Sequence, residues 1–394
     1  MEVINLKDHG DKYREEYGNI IHYSFRGWPK ADALGGWDRM KEDETVLGAV
    51  DENGVLMSVL IINDYISYLN GETVGMGGVG AVSSLGTQRK KGAIAECLRA
   101  SLRLMYDRGY TMAALSPFKY EFYRKYGWEL GYSSYYFGFP MDCLSSFRIK
   151  RNFVQITSKE DFVILRKIYE RRAVLHNGTL KRSEKLWKKF FDAAFDSGDK
   201  SFVYRCDENG KPTSYAIFTA DSGVFRVKEF IYDSIDDVSD MLGYIYLHSS
   251  QCSRVELKNI CTPDDIVDIM PTKRIDISYG QGMMNRVVNA EKALSLYPFT
   301  DNGNVSVMLK DDELPENNGI FDIEVSDGRA EKISKRADDG KPVDIIIDIR
   351  EFSQLMTGFR NILDLQRIGK IKVNSEKAKK IFKFKNVCAL YDFF

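Results

Sequence analysis

Hydrophobic and polar positions along the chain fall into blocks that repeat. Tyr13, Tyr17, Ile20, Ile21 and Ser24 lie at helical spacing, which predicts an amphipathic helix over residues 11–25 that ends before Trp28-Pro29. Three strand-like runs follow. Residues 45–50 lead into Asp51-Glu52-Asn53-Gly54, where Asn-Gly signals a tight hairpin. Residues 55–68 return and turn at Asn70-Gly71, and residues 72–85 complete an antiparallel meander. Beyond Gly92, the residues Ile94, Leu98, Leu102 and Met105 form one apolar stripe, and Gly109 stops that helix. An apolar strand, Thr111-Met112-Ala113-Ala114-Leu115, comes next.

A second block starts near residue 146. Ser158-Lys159-Glu160-Asp161 reads as a capping box, and Ser183 opens a helix that carries Leu186, Trp187 and Phe190. Residues 201–206 then run into Asp207-Glu208-Asn209-Gly210, the same tetrapeptide found at 51–54. A long strand (223–232), a helix (235–250) and a strand (254–257) follow in the order of the first block, which predicts a duplicated fold. From residue 283 a third unit has strands near 305–309, 320–325, 329–335 and 343–348, with helices over 349–366 and 375–382. The expected units are therefore 1–145, 146–282 and 283–394, in an α/β (α+β) fold.

Composition narrows the function. With 394 residues, two or three domains are expected, and 44% hydrophobic content indicates globular folding. The 56 basic and 57 acidic residues nearly cancel, which argues against a general nucleic-acid or membrane-surface binder. Six scattered cysteines and four histidines suggest neither a disulfide framework nor a metal site. No apolar run approaches ~20 residues and no leader is evident, so a reduced, cytoplasmic protein is expected.

The chemistry concentrates between Val79 and Trp128. A strand enters Gly86-Thr87-Gln88-Arg89-Lys90-Lys91-Gly92-Ala93 and a helix begins there, so backbone amides, a helix dipole and cations meet in one volume suited to a pyrophosphate. Three cations alone would read as a solvated face. Gly92 shifts that reading, because it lets an anion approach the backbone. Downstream stand Tyr120, Tyr123 and Tyr126, any of which could donate a proton to a leaving thiolate; a phenol of pKa ~10 suits a thiol of pKa ~8.5. In the second block, acidic Tyr232-Asp233-Ser234-Ile235-Asp236-Asp237 fills the matching junction and would repel a pyrophosphate, which leaves that copy a scaffolding role. The chain ends in Ala389-Leu390-Tyr391-Asp392-Phe393-Phe394. So apolar an end reads either as a packed tail or as one that buries the terminal carboxylate and raises its basicity above the reference of ~3.3–3.7.

The basic loop resembles the acyl-coenzyme A binding motif of the GNAT acetyltransferases. With Tyr123-Arg124-Lys125-Tyr126-Gly127 and the aromatic end, the whole chain resembles the Eis (enhanced intracellular survival) family. The resemblance implies tandem GNAT folds, the first catalytic and the second degenerate, each a mixed, mostly antiparallel sheet flanked by helices. A sterol-carrier-like α+β domain would follow. It implies acetyl-CoA as co-substrate without a metal, and a small-molecule amine as acceptor. Backbone groups of Val82 and Ser84 would hold the pantetheine arm, and Arg89, Lys90, Gly92 and Ala93 the pyrophosphate. Tyr123 would be the general acid and the Phe394 carboxylate the base, with Trp28, Trp37 and Asp392 toward the acceptor. Members acetylate aminoglycoside-like amines, some act on lysine side chains, and they assemble as homohexamers. Two Lys where the family's loop is often all Arg keep the charge and lose bidentate geometry. A lipid-binding protein with a vestigial transferase unit, or a protein-lysine acetyltransferase, is the alternative.

Overall fold

The computed structural model describes residues 1–25, 27–39 and 44–392, and its strands form three sheets. The first is ordered β1 (Glu2–Asn5), β2 (Glu44–Val50), β3 (Leu56–Leu69), β4 (Glu72–Ser84), β5 (Met112–Leu115), β14 (Met284–Val287) and β6 (Glu129–Leu130). The second is ordered β13 (Asp276–Gln281), β7 (Ser133–Pro140), β12 (Arg254–Ile260), β11 (Val224–Tyr232), β10 (Pro212–Asp221), β9 (Ser201–Cys206) and β8 (Phe153–Gln155). The third is ordered β17 (Arg329–Arg336), β16 (Gly319–Ser326), β15 (Gly303–Lys310), β18 (Ile345–Asp348) and β19 (Lys372–Val373).

Strand alternation sorts side chains onto the two faces of the first sheet. Val46 and Val59 pack under α1 (Arg14–Ser24) and α2 (Lys30–Arg39), against Tyr17, Ile20, Ile21 and Trp37. Leu47, Leu60 and Ile62 face the other way, onto Cys97, Leu98, Leu102 and Met105 of α3 (Ala93–Asp107). Helix α2 contains Gly35-Gly36 and has little intrinsic helix tendency. Ala33 and Trp37, buried against α1, hold it in place.

The duplication is visible in backbone detail. Asp51 Oδ1 accepts from the Asn53 and Val55 amides, and Asp207 Oδ1 accepts from those of Asn209 and Lys211, all at 2.9 Å. Gly54 and Gly210 close the two loops at φ +77° and +76°. In both units two antiparallel pairings precede a parallel one: β2–β3, β3–β4, β4–β5, and β9–β10, β10–β11, β11–β12.

Sheet membership crosses the boundaries expected after residues 145 and 282. β7 precedes the first boundary yet pairs with β12 and β13 in the second sheet. β14 follows the second boundary yet sits between β5 and β6 in the first. Each exchange covers strand edges that would otherwise expose unpaired N–H and C=O groups. The helix expected over 349–366 is two, Ile349–Met356 and Ile362–Arg367. They part at Gly358 (φ +71°), where a Cβ would lie 2.8 Å from the Asn386 amide nitrogen.

Candidate active site

β4 leaves β5 partway along its length. The parallel ladder runs from Met76↔Met112 to Val79↔Leu115 and stops, whereas β4 continues with β3 to Ser84↔Ser58. The bend has a local cause: Ala81 is left-handed (φ +53°), the β3–β4 register slips between Val59 and Ile61, and Ser83 Oγ donates to the Ala81 carbonyl at 2.9 Å. Beyond Val79 the strand therefore has a partner on one side only. Its open side borders a cavity of about 740 Å³.

The basic loop forms one end of that cavity. Lys90 (φ +63°) and Gly92 (φ +84°) turn the chain into α3, which no side chain caps. Ala95 and Glu96 donate to the Gly92 carbonyl, and the first-turn amides before them have no helical acceptor. A Cβ on Gly92 would meet nothing within 4 Å, so its strain is conformational and the space above it is open. Arg89 and Lys90 line the cavity, whereas Lys91 turns away to Gln88 Oε1 at 2.9 Å. Among the described lining residues the charges are these two cations, with no carboxylate, which suits an anion.

The far wall carries the phenol. Tyr123 lies in α4 (Tyr120–Arg124), 1% exposed, with Phe118 and Phe122 packed edge-on at 5.4 and 5.1 Å. It lines the cavity together with Val82, Ser84, Arg89, Lys90, Gly92 and Ala93. Of the three tyrosines considered, Tyr126 packs under Arg99 and Tyr120 under Arg124, and neither lines it. Burial raises the Tyr123 phenol above its ordinary pKa, so it stays protonated at neutral pH.

Comparison with known proteins follows the same division. Residues 5–131 and 178–287 each match models of the acetyltransferase (GNAT) domain, and residues 290–388 match the sterol carrier protein domain. No curated protein matches the sequence. Among solved structures, a conserved protein of Enterococcus faecalis is similar at 22% identity, with 98% of each chain covered and a TM-score of 0.88. A GCN5-related N-acetyltransferase of Anabaena variabilis is similar at 23% identity over 98% of each chain, TM-score 0.82. The Eis1 protein of Mycobacterium abscessus is similar at 18% identity over 100% of each chain, TM-score 0.80. The chain carries two acetyltransferase (GNAT) domains and a sterol carrier protein domain, in the fold shared by these structures. Its domain content makes it an acyltransferase and implies acetyl-CoA and a small-molecule acceptor.

The residues present fit acetyl-CoA in the first GNAT unit: an uncapped helix start, two cations and an unpaired strand edge share one space. The second unit lacks these features. Its helix Ile235–Tyr246 is closed by a capping box of Ser234 and Asp237. Asp237 and Asp240 are fully buried against Arg205, and the Asp237 carboxylate accepts from the Ser234 amide, so an internal carboxylate stands at the helix N-terminus that an anion would need.

The remaining sequence candidates lie elsewhere. Trp37 is a core residue, 2% exposed, its Nε1 donating to Asp11 Oδ1 at 3.0 Å under Lys7. Trp28 is 57% exposed and tilts against Phe25, which does line the cavity. Asp392 is buried in an ion pair with Arg182 at 2.9 Å and is not among the residues lining the cavity. Phe394 lies outside the described residues. Sequence reasoning missed Phe25, Phe118, Phe122 and Ser116 on the lining, and Tyr23, whose ring lies 5.7 Å from the Arg89 guanidinium carbon. For Phe118 and Ser116 a signal existed: both follow β5 at the strand's C-terminal end. Among the described residues no group of acidic, His and Cys side chains could hold a metal, and no helix is long and apolar enough to cross a membrane.

Proposed function

We propose that this chain transfers the acetyl group of acetyl-CoA to a primary amine of a polycationic, aminoglycoside-like small molecule by direct attack. The observation that carries this reading is the single cavity that joins the uncapped start of α3, Arg89 and Lys90 to the Tyr123 phenol along the open edge of β4. Backbone groups of Val82 and Ser84 hold the pantetheine arm, while Arg89, Lys90, Gly92 and Ala93 hold the pyrophosphate. Tyr123 donates its proton to sulfur as the C–S bond breaks and the C–N bond forms. The Phe394 carboxylate accepts the amine proton through water. Exposed Trp28 offers an aromatic face to the cationic acceptor. The family resemblance also supports a homohexamer, which mass photometry would test.

Thiol release is the test. With acetyl-CoA and a panel of small polyamines, release above background is expected. A chain that binds acetyl-CoA yet releases no thiol with any amine would overturn the transfer. Release with lysine peptides alone would overturn the small-molecule acceptor and favour protein acetylation.

A further inference from the structure

The second unit keeps the strand geometry that opens the first unit's cavity. β11 runs parallel to β12 from Val224↔Arg254 to Val227↔Leu257 and then continues alone with β10 to Tyr232↔Ser214. A register slip between Ile217 and Phe218 marks the departure, as the one opposite Ala81 does in β4. β12 bends at Asn259 (φ +57°) and keeps its other neighbour at Ile260↔Tyr135. The two strand ends diverge as β4 and β5 do.

What fills the two gaps differs. Between the ends of β11 and β12 only about 20 Å³ remains, room for one water. That remnant is bordered by Phe230 and Tyr232 on one strand, Cys261 and Thr262 beyond the other, and Tyr391 from the end of the chain. Tyr391 packs edge-on to Tyr169 at 6.3 Å, and its Oη lies 3.4 Å from His176 Nδ1. Cys261 borders the same remnant, and burial pushes its thiol up to about 12. Tyr232 Oη reaches Thr262 Oγ1 at 2.5 Å and Asp265 at 2.8 Å, tying the strand ends together.

The neighbouring tail residues are fixed to the same unit. Arg182, stacked on Tyr169 at 3.9 Å, holds Asp392 at 2.9 Å on one side and Glu229 of β11 at 2.6 Å on the other. Upstream, the Ala389 amide donates to the Asn177 carbonyl and the Asn177 amide to that of Val387, both at 3.0 Å. A charged clasp, an aromatic plug and a backbone bridge all hold one short segment.

We propose that the cleft of the second GNAT unit is a receptor for the chain's own C-terminal segment, with Tyr391 seated where the first unit takes its ligand's arm and Asp392 locked by Arg182. The second unit then positions the end of the chain for the first. Its kinetic consequence rests on the proposed role of Phe394; the docking itself does not.

Alkylation of the full chain by iodoacetamide, followed at each cysteine by mass spectrometry, reads the docking directly. In the wild type Cys261 and Cys388 react slowly. Tyr391→Ala should speed both about tenfold or more, and Asp392→Asn, which keeps the shape and loses the charge, should speed them less. Cys97, on the buried face of α3, should stay slow in both, which excludes global unfolding. Tyr391→Phe should keep Cys261 protected. Unchanged labelling of Cys261 in Tyr391→Ala, or equal acceleration at Cys97 in both variants, would overturn the docking. Faster labelling together with reduced turnover at unchanged acetyl-CoA affinity supports the positioning role. Faster labelling at unchanged turnover would leave the docking intact and refute both the positioning role and Phe394 as base.

Discussion

Tyr123 shares a wall of the cavity with Phe118 and Phe122, which pack edge-on against it, and its burial there sets its chemistry. Tyr123→Phe removes the proton donor and nothing else in the wall, so turnover should fall about 10²–10⁴-fold while acetyl-CoA affinity holds. Thiol release and calorimetric titration read the two quantities separately. Near the tail, two buried groups oppose each other in pH. Burial lowers His176 to about 4, so between pH 4 and ~6.5 the folded chain binds fewer protons than the unfolded one and loses stability as pH falls. Burial raises Asp392 to about 6, and Glu229 across the shared Arg182 adds to the rise. The folded chain therefore binds the extra proton between ~3.9 and 6, and stability falls as pH rises. Urea midpoints should show His176→Asn losing stability from pH 4 to 6 relative to wild type, and Asp392→Asn gaining it. At this scale the residues left Tyr120, Tyr123 and Tyr126 open and only the family resemblance singled out Tyr123, whereas the basic loop was legible because a contiguous motif carries it. Trp37 was not, because its burial depends on a packing partner, Tyr17, from another helix.

Among elements, the decisive comparison is between the two strand-to-helix junctions. The first needs Gly92 at φ +84°, a region that costs a side chain ~1–2 kcal/mol. Gly92→Ala should therefore lower both thermal stability and coenzyme A affinity. The second junction is sealed from inside. Arg205→Met would strand Asp237 and Asp240 without their cation and should cost ~3–5 kcal/mol in denaturant unfolding, with no gain of a cofactor site. Hairpins were readable from Asp-Glu-Asn-Gly because an Asx turn and a left-handed glycine are chemistry internal to four residues. α2 was not readable, since glycines hide a helix that only tertiary contacts stabilise. The acidic residues at 233–237 revealed that the second site was closed; what occupies its cleft depends on residue 391 and was not visible locally.

Over the whole molecule, three units are interlocked. β14 belongs to the first sheet, and its Arg286 pairs with Asp311 at 2.8 Å, which binds the C-terminal unit to it. Asn177 joins all three units: it exchanges 2.6 Å hydrogen bonds with Asn70 and donates to the Thr357 carbonyl at 2.7 Å. Residues 1–145 expressed alone lack β14, so circular dichroism should find them unfolded or the fragment should aggregate; a soluble, folded fragment would contradict the interlocking. The exchange was not legible because β14 is four residues long and contains a buried arginine whose partner lies 25 positions on. On the proposed function, one of two similar units binds the acyl donor and the other is closed by the chain's own end. Calorimetric titration with coenzyme A tests it most directly. One site per chain, lost in Arg89→Gln/Lys90→Gln, is the expected result; two sites per chain, or one that survives both changes, would contradict it.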